Sequence, residues 1–134
     1  MQITRQADYA VRAVMYLAQL GPDEKASTSQ IAEEKDIPLS FLAKIIAQLS
    51  VAGLLQTMRG ARGGVTLARA PQEISLLEVV EAIDGPIMLN ECVNGSFECS
   101  QHDCPMHQIW LEAQEDLVKR LEATHFGQFV SEAA

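Results

Sequence analysis

The spacing of apolar residues predicts that the chain begins with a long helix over residues 6–20. Its apolar positions recur at intervals of three and four residues, so they form one face that a core can cover. Gly21-Pro22 ends the pattern, because both residues disfavour continuation of a helix. The positions on this face are Ala10, Ala13, Val14 and Leu17.

Two further helices are predicted close behind the first. A short helix begins at Ser27, whose pairing with Gln30 predicts a capping box, and it ends before Pro38. The next covers residues 39–52, and Gly53 stands where a left-handed C-terminal cap is expected. Its apolar face comprises Leu42, Ile45, Ile46 and Leu49. Two helices of this length joined by a brief turn predict a helix-turn-helix.

A β-hairpin is predicted directly after the helix-turn-helix. Residues 54–58 and 65–68 favour strands, and a glycine-rich tip, Arg59-Gly60-Ala61-Arg62-Gly63-Gly64, lies between them. A helix-turn-helix followed by such a hairpin is a winged helix, so the hairpin is the expected wing.

The second half of the chain predicts two more helices separated by an irregular loop. Ser75 and Glu78 form a second capping box, which opens a helix that ends at Gly85-Pro86. Pro105 is well placed as the first residue of a long final helix. Its apolar stripe consists of Ile109, Ala113, Leu117 and Leu121. A long amphipathic helix added to so small a domain predicts a partner helix.

The predicted fold is therefore mainly α with a small β-hairpin, organised in three parts. Residues 1–70 form a winged helix-turn-helix domain that binds DNA. Residues 71–104 form a connecting helix and the loop that contains the cysteines, and residues 105–134 form a dimerisation helix and a C-terminal tail. At 134 residues the chain is long enough to bury a core without disulfide staples.

The distribution of charge along the chain bears on whether the protein can bind nucleic acid. The net charge of −8 argues against a nucleic-acid partner, since phosphate binding needs lysine and arginine. However, residues 1–70 carry eight basic and six acidic side chains, whereas residues 71–134 carry two basic and twelve acidic ones. No carboxylate occurs between Ile37 and Gln72. This distribution predicts a small phosphate-facing surface in an otherwise acidic protein, although neutral residues clustered in a buried segment would produce the same pattern.

Eight residues are candidates for contact with double-stranded DNA. On the third helix, four side chains lie opposite or beside the apolar face and could reach bases or phosphates: Ser40, Phe41, Lys44 and Gln48. On the wing, two arginines could contact phosphate or enter a minor groove, and two glycines permit close approach: Arg59, Gly60, Arg62 and Gly63. The alternatives are a solvated helix surface, a packing role for Phe41, and a simple surface turn at the wing.

Three cysteines and a histidine fall within sixteen residues and predict a metal centre: Cys92, Cys99, Cys104 and His107. No lysine or arginine lies between Arg69 and Lys119, so nothing nearby would activate a catalytic thiolate. Bound iron or zinc would supply the missing positive charge. Three thiolates need one further ligand, for which His107, His102 and a carboxylate from elsewhere are the candidates. This segment, residues 92–104, is called the cysteine segment below.

The compartment follows from the same residues. An odd number of cysteines and the lack of a basic, apolar leader predict a reducing cytosol. No apolar run approaches the length needed to span a membrane. No set of residues suggests an enzyme.

Along nearly its whole length the sequence resembles the IscR and NsrR type of bacterial iron–sulfur transcription regulators. The matching stretches are Thr4 with Asp8-Tyr9-Ala10-Val11-Arg12-Ala13, Pro38-Leu39-Ser40-Phe41-Leu42, Arg59-Gly60 with Gly63-Gly64-Val65 and Leu67, and Ile74-Ser75-Leu76-Leu77-Glu78-Val79-Val80. The resemblance implies a homodimer that crosses its long C-terminal helices, binds an operator with dyad symmetry and carries one cluster per subunit.

The resemblance also implies a ligand set, with Cys92, Cys99 and Cys104 as the cysteine ligands. His107 matches the histidine that completes a 2Fe-2S site in the IscR-like branch. Asp8 matches the aspartate that reaches a 4Fe-4S cluster from the partner subunit in the NsrR-like branch, although an ion pair with Arg12 would also explain it. The cysteine spacing departs by one residue at each interval from the five-and-five arrangement of both branches.

The sequence thus predicts a cytoplasmic regulator, such as a repressor, that senses iron, redox state or nitric oxide through its cluster. The alternative is a winged-helix protein that is metal-free or stabilised by zinc, whose cysteine segment is structural.

Overall fold

The computed structural model describes residues 2–21, 24–61, 63–93 and 104–130. In these ranges the chain forms five α-helices, one antiparallel hairpin and three short 3-10 helices. The helices are α1 (Arg5–Leu20), α2 (Thr28–Lys35), α3 (Leu39–Val51), α4 (Leu76–Asp84) and α5 (Pro105–Ala123); the strands are β1 (Leu55–Met58) and β2 (Gly64–Leu67); the 3-10 helices are Pro71–Glu73, Glu91–Val93 and Phe126–Phe129. The predicted fold, mainly helical with one small hairpin, is confirmed. None of the described helices is long and apolar enough to cross a membrane.

Helix α1 lies at the centre of the core because small side chains on one face let other helices approach closely. Both α3 and α4 pack against it. The helix begins where the Thr4 hydroxyl accepts a hydrogen bond of 3.1 Å from the Ala7 N–H, which satisfies one of the free donors of the first turn. The predicted apolar face is confirmed, since Ala10, Ala13, Val14 and Leu17 are all buried.

Helices α2 and α3 form the predicted helix-turn-helix. Asp36 adopts the left-handed conformation, with φ at 54°, and so turns the chain sharply out of α2. The Ile37 N–H still donates to the Ala32 carbonyl at 2.9 Å, which closes the end of the helix. Helix α3 buries the face predicted from its spacing: Leu42, Ile45, Ile46 and Leu49.

The start of α2 differs from its prediction in one hydrogen bond. The Ser27 hydroxyl accepts from the Gln30 N–H at 3.0 Å, as a capping box requires. The Gln30 side-chain amide donates instead to the Tyr16 hydroxyl of α1 at 3.1 Å, so only half of the predicted box forms. The Gln30 side chain thus bonds Tyr16 on another helix instead of the backbone of Ser27.

The hairpin is the predicted wing, although β1 begins one residue later than predicted and β2 begins and ends one residue earlier. Residue Leu55 pairs with Leu67 and Met58 pairs with Gly64. Leu54 lies outside β1 because its N–H donates to the Leu49 carbonyl and thereby closes α3. The chain before α2 also joins the wing, since Ala26 and Val65 exchange hydrogen bonds of 3.2 and 2.7 Å. The wing is therefore supported from one side by the helix-turn-helix.

The end of α5 is anchored on the winged helix. The chain after α5 pairs with the chain before α4, where the Leu76 N–H donates to Thr124 at 2.8 Å and the Phe126 N–H donates to Ile74 at 3.1 Å. Phe126 is buried in the same core as α1. The capping box that begins α4, formed by Ser75 and Glu78, is confirmed.

Helix α5 packs against α4 but leaves much of its apolar surface exposed. The predicted stripe divides, because Leu117 and Leu121 are half-buried whereas Ile109 and Ala113 are exposed. The largest exposed apolar side chains of α5 are Met106, Ile109 and Trp110. Within the described residues, the helix therefore has an exposed apolar side near its N-terminal end.

Candidate functional site

An open cleft of about 470 Å³ lies along α3 and is called the recognition cleft below. It brings together the four DNA-contact candidates predicted on α3, the N-terminal end of α1 and the C-terminal end of α4. The lining residues are Thr4, Gln6, Ser40, Phe41, Lys44, Ile45, Gln48, Ile83 and Asp84. Because Ser40, Phe41 and Lys44 are exposed while the opposite face of α3 is buried, these side chains are available to an external ligand.

The Phe41 ring is held in place by an aromatic neighbour. Its centroid lies 6.4 Å from that of Tyr9 on α1, in a tilted arrangement, and Phe41 remains 46% exposed. The Arg12 guanidinium lies 5.6 Å from the centre of the Tyr9 ring. Phe41 therefore packs against Tyr9 and is also accessible from solvent. The packing role and the role as a DNA-contact candidate, which the sequence left open as alternatives, are compatible.

The wing presents an exposed arginine beside a tight backbone turn. Arg59 is exposed, and Gly60 has a φ of 99°, a conformation that favours glycine. The Gly63 N–H donates to the Gly60 carbonyl at 2.9 Å. A Cβ at Gly63 would overlap the Met58 carbonyl oxygen, so this position requires glycine. Arg62, the second predicted wing arginine, lies outside the described residues.

A carboxylate at the edge of the recognition cleft was missed by sequence reasoning. Asp84, the last residue of α4, accepts a hydrogen bond of 2.5 Å from the Thr4 hydroxyl and one of 3.3 Å from the Thr4 N–H. The Thr4–Asp84 contact joins α4 to the start of α1, eighty positions apart in the chain. No local pattern signals such a pair, because it depends on how α4 packs against α1.

A second polar contact joins the base of the wing to α4. Arg69, two residues beyond β2, lies 2.5 Å from the Glu78 carboxylate. Burial alone would raise the pKa of Glu78, but hydrogen bonds from Arg69 and Ser75 hold it below its ordinary value of 4.5. Helix α4 is thus fastened to the wing near its beginning and to α1 at its end.

The cysteine segment lies in the connection between α4 and α5, and the structure describes both of its ends. Cys92 and Cys104 are free, half-exposed thiols, and the exposed His107 follows one turn into α5. The 3-10 helix that contains Cys92 packs against α5, and the Leu89 N–H donates to the Gln114 side chain at 2.9 Å.

The middle of the cysteine segment, residues 94–103, lies outside the described residues and contains Cys99 and His102. Among the residues that the structure does describe, no three potential ligands stand close enough to hold a metal ion. The donor chemistry nevertheless suits iron or zinc, since both described cysteines are free thiols and soft sulfur ligands favour these metals.

Asp8, the alternative ligand, lies one turn after Thr4 on the exposed side of α1. Its carboxylate lies 2.8 Å from the Arg12 guanidinium, and both side chains are about half exposed. The helical ion pair considered from the sequence is therefore present. Such an exposed pair contributes little to stability, so Arg12 would not prevent Asp8 from binding another cation.

Comparison with known proteins identifies the family. The Rrf2 family profile, described as an iron-dependent transcriptional regulator, matches residues 3–132. The HTH-type transcriptional regulator NsrR of Halalkalibacterium halodurans is 37% identical over 94 residues, which are 70% of this chain and 64% of that protein. The chain spans about two thirds of the length of the first curated relatives that it matches.

Two solved structures share the fold. CymR, the global cysteine regulator of B. subtilis, superposes with a TM-score of 0.83 at 21% identity, covering 100% of this chain and 99% of that chain. T. potens IscR gives 0.78 at 24% identity, covering 96% and 85%. At these low identities the two structures show the fold alone.

These comparisons confirm the resemblance that the sequence motifs indicated. They also confirm the prediction that the chain is not an enzyme, because the family is one of transcriptional regulators. The chain belongs to the Rrf2 family of transcriptional regulators.

Proposed function

We propose that this chain acts as a homodimer that binds operator DNA with an affinity set by an iron–sulfur cluster in the cysteine segment. The observation that carries the proposal is the position of α4. Its last residue, Asp84, borders the recognition cleft, and only seven residues separate it from Cys92. A change in the cysteine segment therefore acts directly on a helix that touches the DNA-reading surface.

The proposed ligands are Cys92, Cys99 and Cys104, completed either by His107 in a 2Fe-2S site or by Asp8 of the partner subunit in a 4Fe-4S site. The exposure of His107 and Asp8 leaves both available. A bound cluster would supply positive charge to the thiolates and a cross-link that oxidation or nitric oxide can break. The family description as iron-dependent supports iron over zinc. A cytosolic location stays a prediction, as does action as a repressor.

The contacts of α4 give a route for the response. The Thr4–Asp84 contact fixes the end of α4 beside α1, and Arg69–Glu78 fixes its beginning beside the wing. When the cross-link is lost, we expect the end of α4 to shift and to change the recognition cleft or the orientation of the wing. A ligand shifts such an equilibrium only through its different affinities for the two states.

Holo and apo protein are expected to differ at least tenfold in affinity for some operator, which corresponds to about 1.4 kcal/mol. Fluorescence anisotropy with sites selected from random DNA, performed anaerobically, measures the difference. Asp84→Asn keeps the side-chain size but weakens the bonds to Thr4, so it should reduce the difference. Glu112→Gln, an exposed carboxyl on α5, is the matched control.

Equal affinities for the two forms across all selected sites would contradict the sensor function. They would favour the alternative, in which zinc or no metal occupies a purely structural segment. Iron and sulfide analysis after anaerobic purification separates these cases, since only a cluster brings both elements and visible absorbance.

The exposed apolar side of α5 is the proposed dimer interface. Met106, Ile109 and Trp110 lie within two turns and are each at least 40% exposed, and Met88 is exposed to a similar degree. A second copy of α5 is the proposed occupant because a self-complementary apolar face suits a two-fold interface. To enter successive major grooves, the two recognition helices of such a dimer must lie about 34 Å apart.

Replacing Ile109 by glutamate is expected to convert a dimer into monomers, because each subunit would bury an unpaired carboxylate in the proposed interface. Sedimentation equilibrium measures the mass. Gln108→Glu adds the same charge one position away and should leave the dimer intact. A dimer that persists in the Ile109→Glu variant would exclude this face.

A further inference from the structure

The exposed face of α3 carries a row of methyl-bearing side chains that the recognition cleft does not include. Ala43, Ala47 and Val51 recur every four residues, so they line up along one side of the helix. All three are exposed, and Val51 is 89% exposed. This row lies opposite the buried face, in the direction from which DNA would approach a recognition helix.

The row has chemical consequences for the bases that it meets. None of its side chains can donate or accept a hydrogen bond. The flanking polar side chains are Ser40, Lys44, Gln48 and Ser50, and the Ser50 hydroxyl already donates to the Ile46 carbonyl at 2.8 Å. In the major groove the thymine C5-methyl is the one apolar group that a base pair presents. A polar base edge placed against the row would lose its water without gaining a partner.

We infer that Ala43 and Ala47 recognise thymine methyl groups in the major groove, with Val51 extending the apolar contact along the same strand. Each operator half-site then contains at least one thymine that is specified by its methyl group alone. Ser40 and Lys44 flank the row and supply hydrogen bonds to phosphate or guanine. The inference rests on the proposed docking of α3 against DNA.

Small side chains make this contact possible. Alanine lets the backbone of α3 approach the floor of the groove, whereas a long side chain would keep the helix away. No carboxylate from Ile37 to Gln72 repels the phosphates on either side. The distance to which α3 approaches the floor of the major groove is therefore limited by the size of its side chains and not by charge repulsion from the phosphates.

Deoxyuridine scanning tests the inference, because deoxyuridine differs from thymidine only by the missing methyl group. A site is first selected from random double-stranded DNA with the full-length protein, and each thymidine is then replaced singly. We expect at least one position per half-site at which binding weakens about fourfold, the effect of one buried methyl group. Thymidines outside the bound site should show no change.

A protein variant assigns the contact to the row. In Ala47→Gly or Ala43→Gly the sensitive position should become insensitive to deoxyuridine, since the partner methyl is gone. Ala123→Gly, at the exposed end of α5, is the matched control and should keep the full sensitivity. Circular dichroism confirms that each variant folds. The deoxyuridine scan with the unaltered protein tests the methyl contact even if a variant does not fold.

The outcomes separate this inference from the proposed function. If a site is selected and depends on the wing arginines but no deoxyuridine weakens binding, the methyl readout is wrong and DNA binding stands. Sensitivity that persists unchanged in both glycine variants overturns the assignment to Ala43 and Ala47. If no DNA site is selected in either the holo or the apo form, both proposals fail.

Discussion

Replacing Arg59 and Arg62 together by alanine is expected to weaken binding to operator DNA at least about tenfold, since a good base contact contributes roughly 1 to 3 kcal/mol. Each lost phosphate contact should also lower the slope of log affinity against log salt by about 0.9. The reason is the exposed position of Arg59 on a turn whose glycines permit close approach to DNA. Anisotropy titrations between about 50 and 200 mM salt measure both quantities.

Replacing Lys119 and Arg120 together by alanine is the matched control for the loss of two positive charges in the wing variant. Both are exposed on α5, far along the chain from the wing, and their replacement by alanine changes the net charge by the same amount. This variant should keep the salt slope of the unaltered protein. If the two double variants behave alike, the wing does not dock on DNA.

The two modes of wing contact give different results in the same assay. An arginine that touches only phosphate lowers affinity for all sequences alike, whereas one that enters a groove relaxes specificity at particular base pairs. Single variants at Arg59 and Arg62, titrated with mutated operators, therefore distinguish a positioning role from a reading role.

Single replacement of Cys92, Cys99 or Cys104 by alanine is expected to abolish the visible absorbance of protein purified anaerobically. A cluster with one open iron site is exposed to water and is lost. Ser100→Ala, a small replacement within the same segment, should retain the spectrum. A cysteine variant that keeps full iron and sulfide would show that the ligand assignment is wrong.

The fourth ligand is then decided by two variants. Only one of His107→Ala and Asp8→Ala should change the spectrum or the lifetime of the cluster in air, and the identity of that variant indicates the cluster type. Arg12→Ala is a useful control, because it removes the ion-pair partner of Asp8 without removing the carboxylate. Unchanged spectra in both ligand variants would require a different fourth ligand.

Local sequence patterns predicted most of the fold. Helix α1, the helix-turn-helix and the capping box of α4 each depend on residues within a few positions of one another, so their signals are complete in the sequence. Strand β1 begins one residue later than predicted because Leu54 closes α3 instead of extending the hairpin. Gln30 likewise bonds Tyr16, which no local rule would select.

The contacts that matter most to the site were not predictable in this way. Asp84 and Thr4 are far apart in sequence, and their pairing depends on how α4 packs on α1. The stripe on α5 was identified as apolar, but periodicity alone does not say which of its residues a neighbouring helix covers. The structure divides it into an exposed part near the N-terminal end of α5 and a half-buried part towards the C-terminal end.

The burial of Phe126 in the core couples the folding of α5 to that of the winged helix. Because this residue follows α5 but packs in the same core as α1, and because α5 buries no residue of its own, the two parts should unfold in one cooperative transition. If α5 also pairs with a second copy, partner concentration enters that same transition by mass action. The thermal midpoint of the winged helix would then rise with protein concentration, although the proposed interface lies on α5.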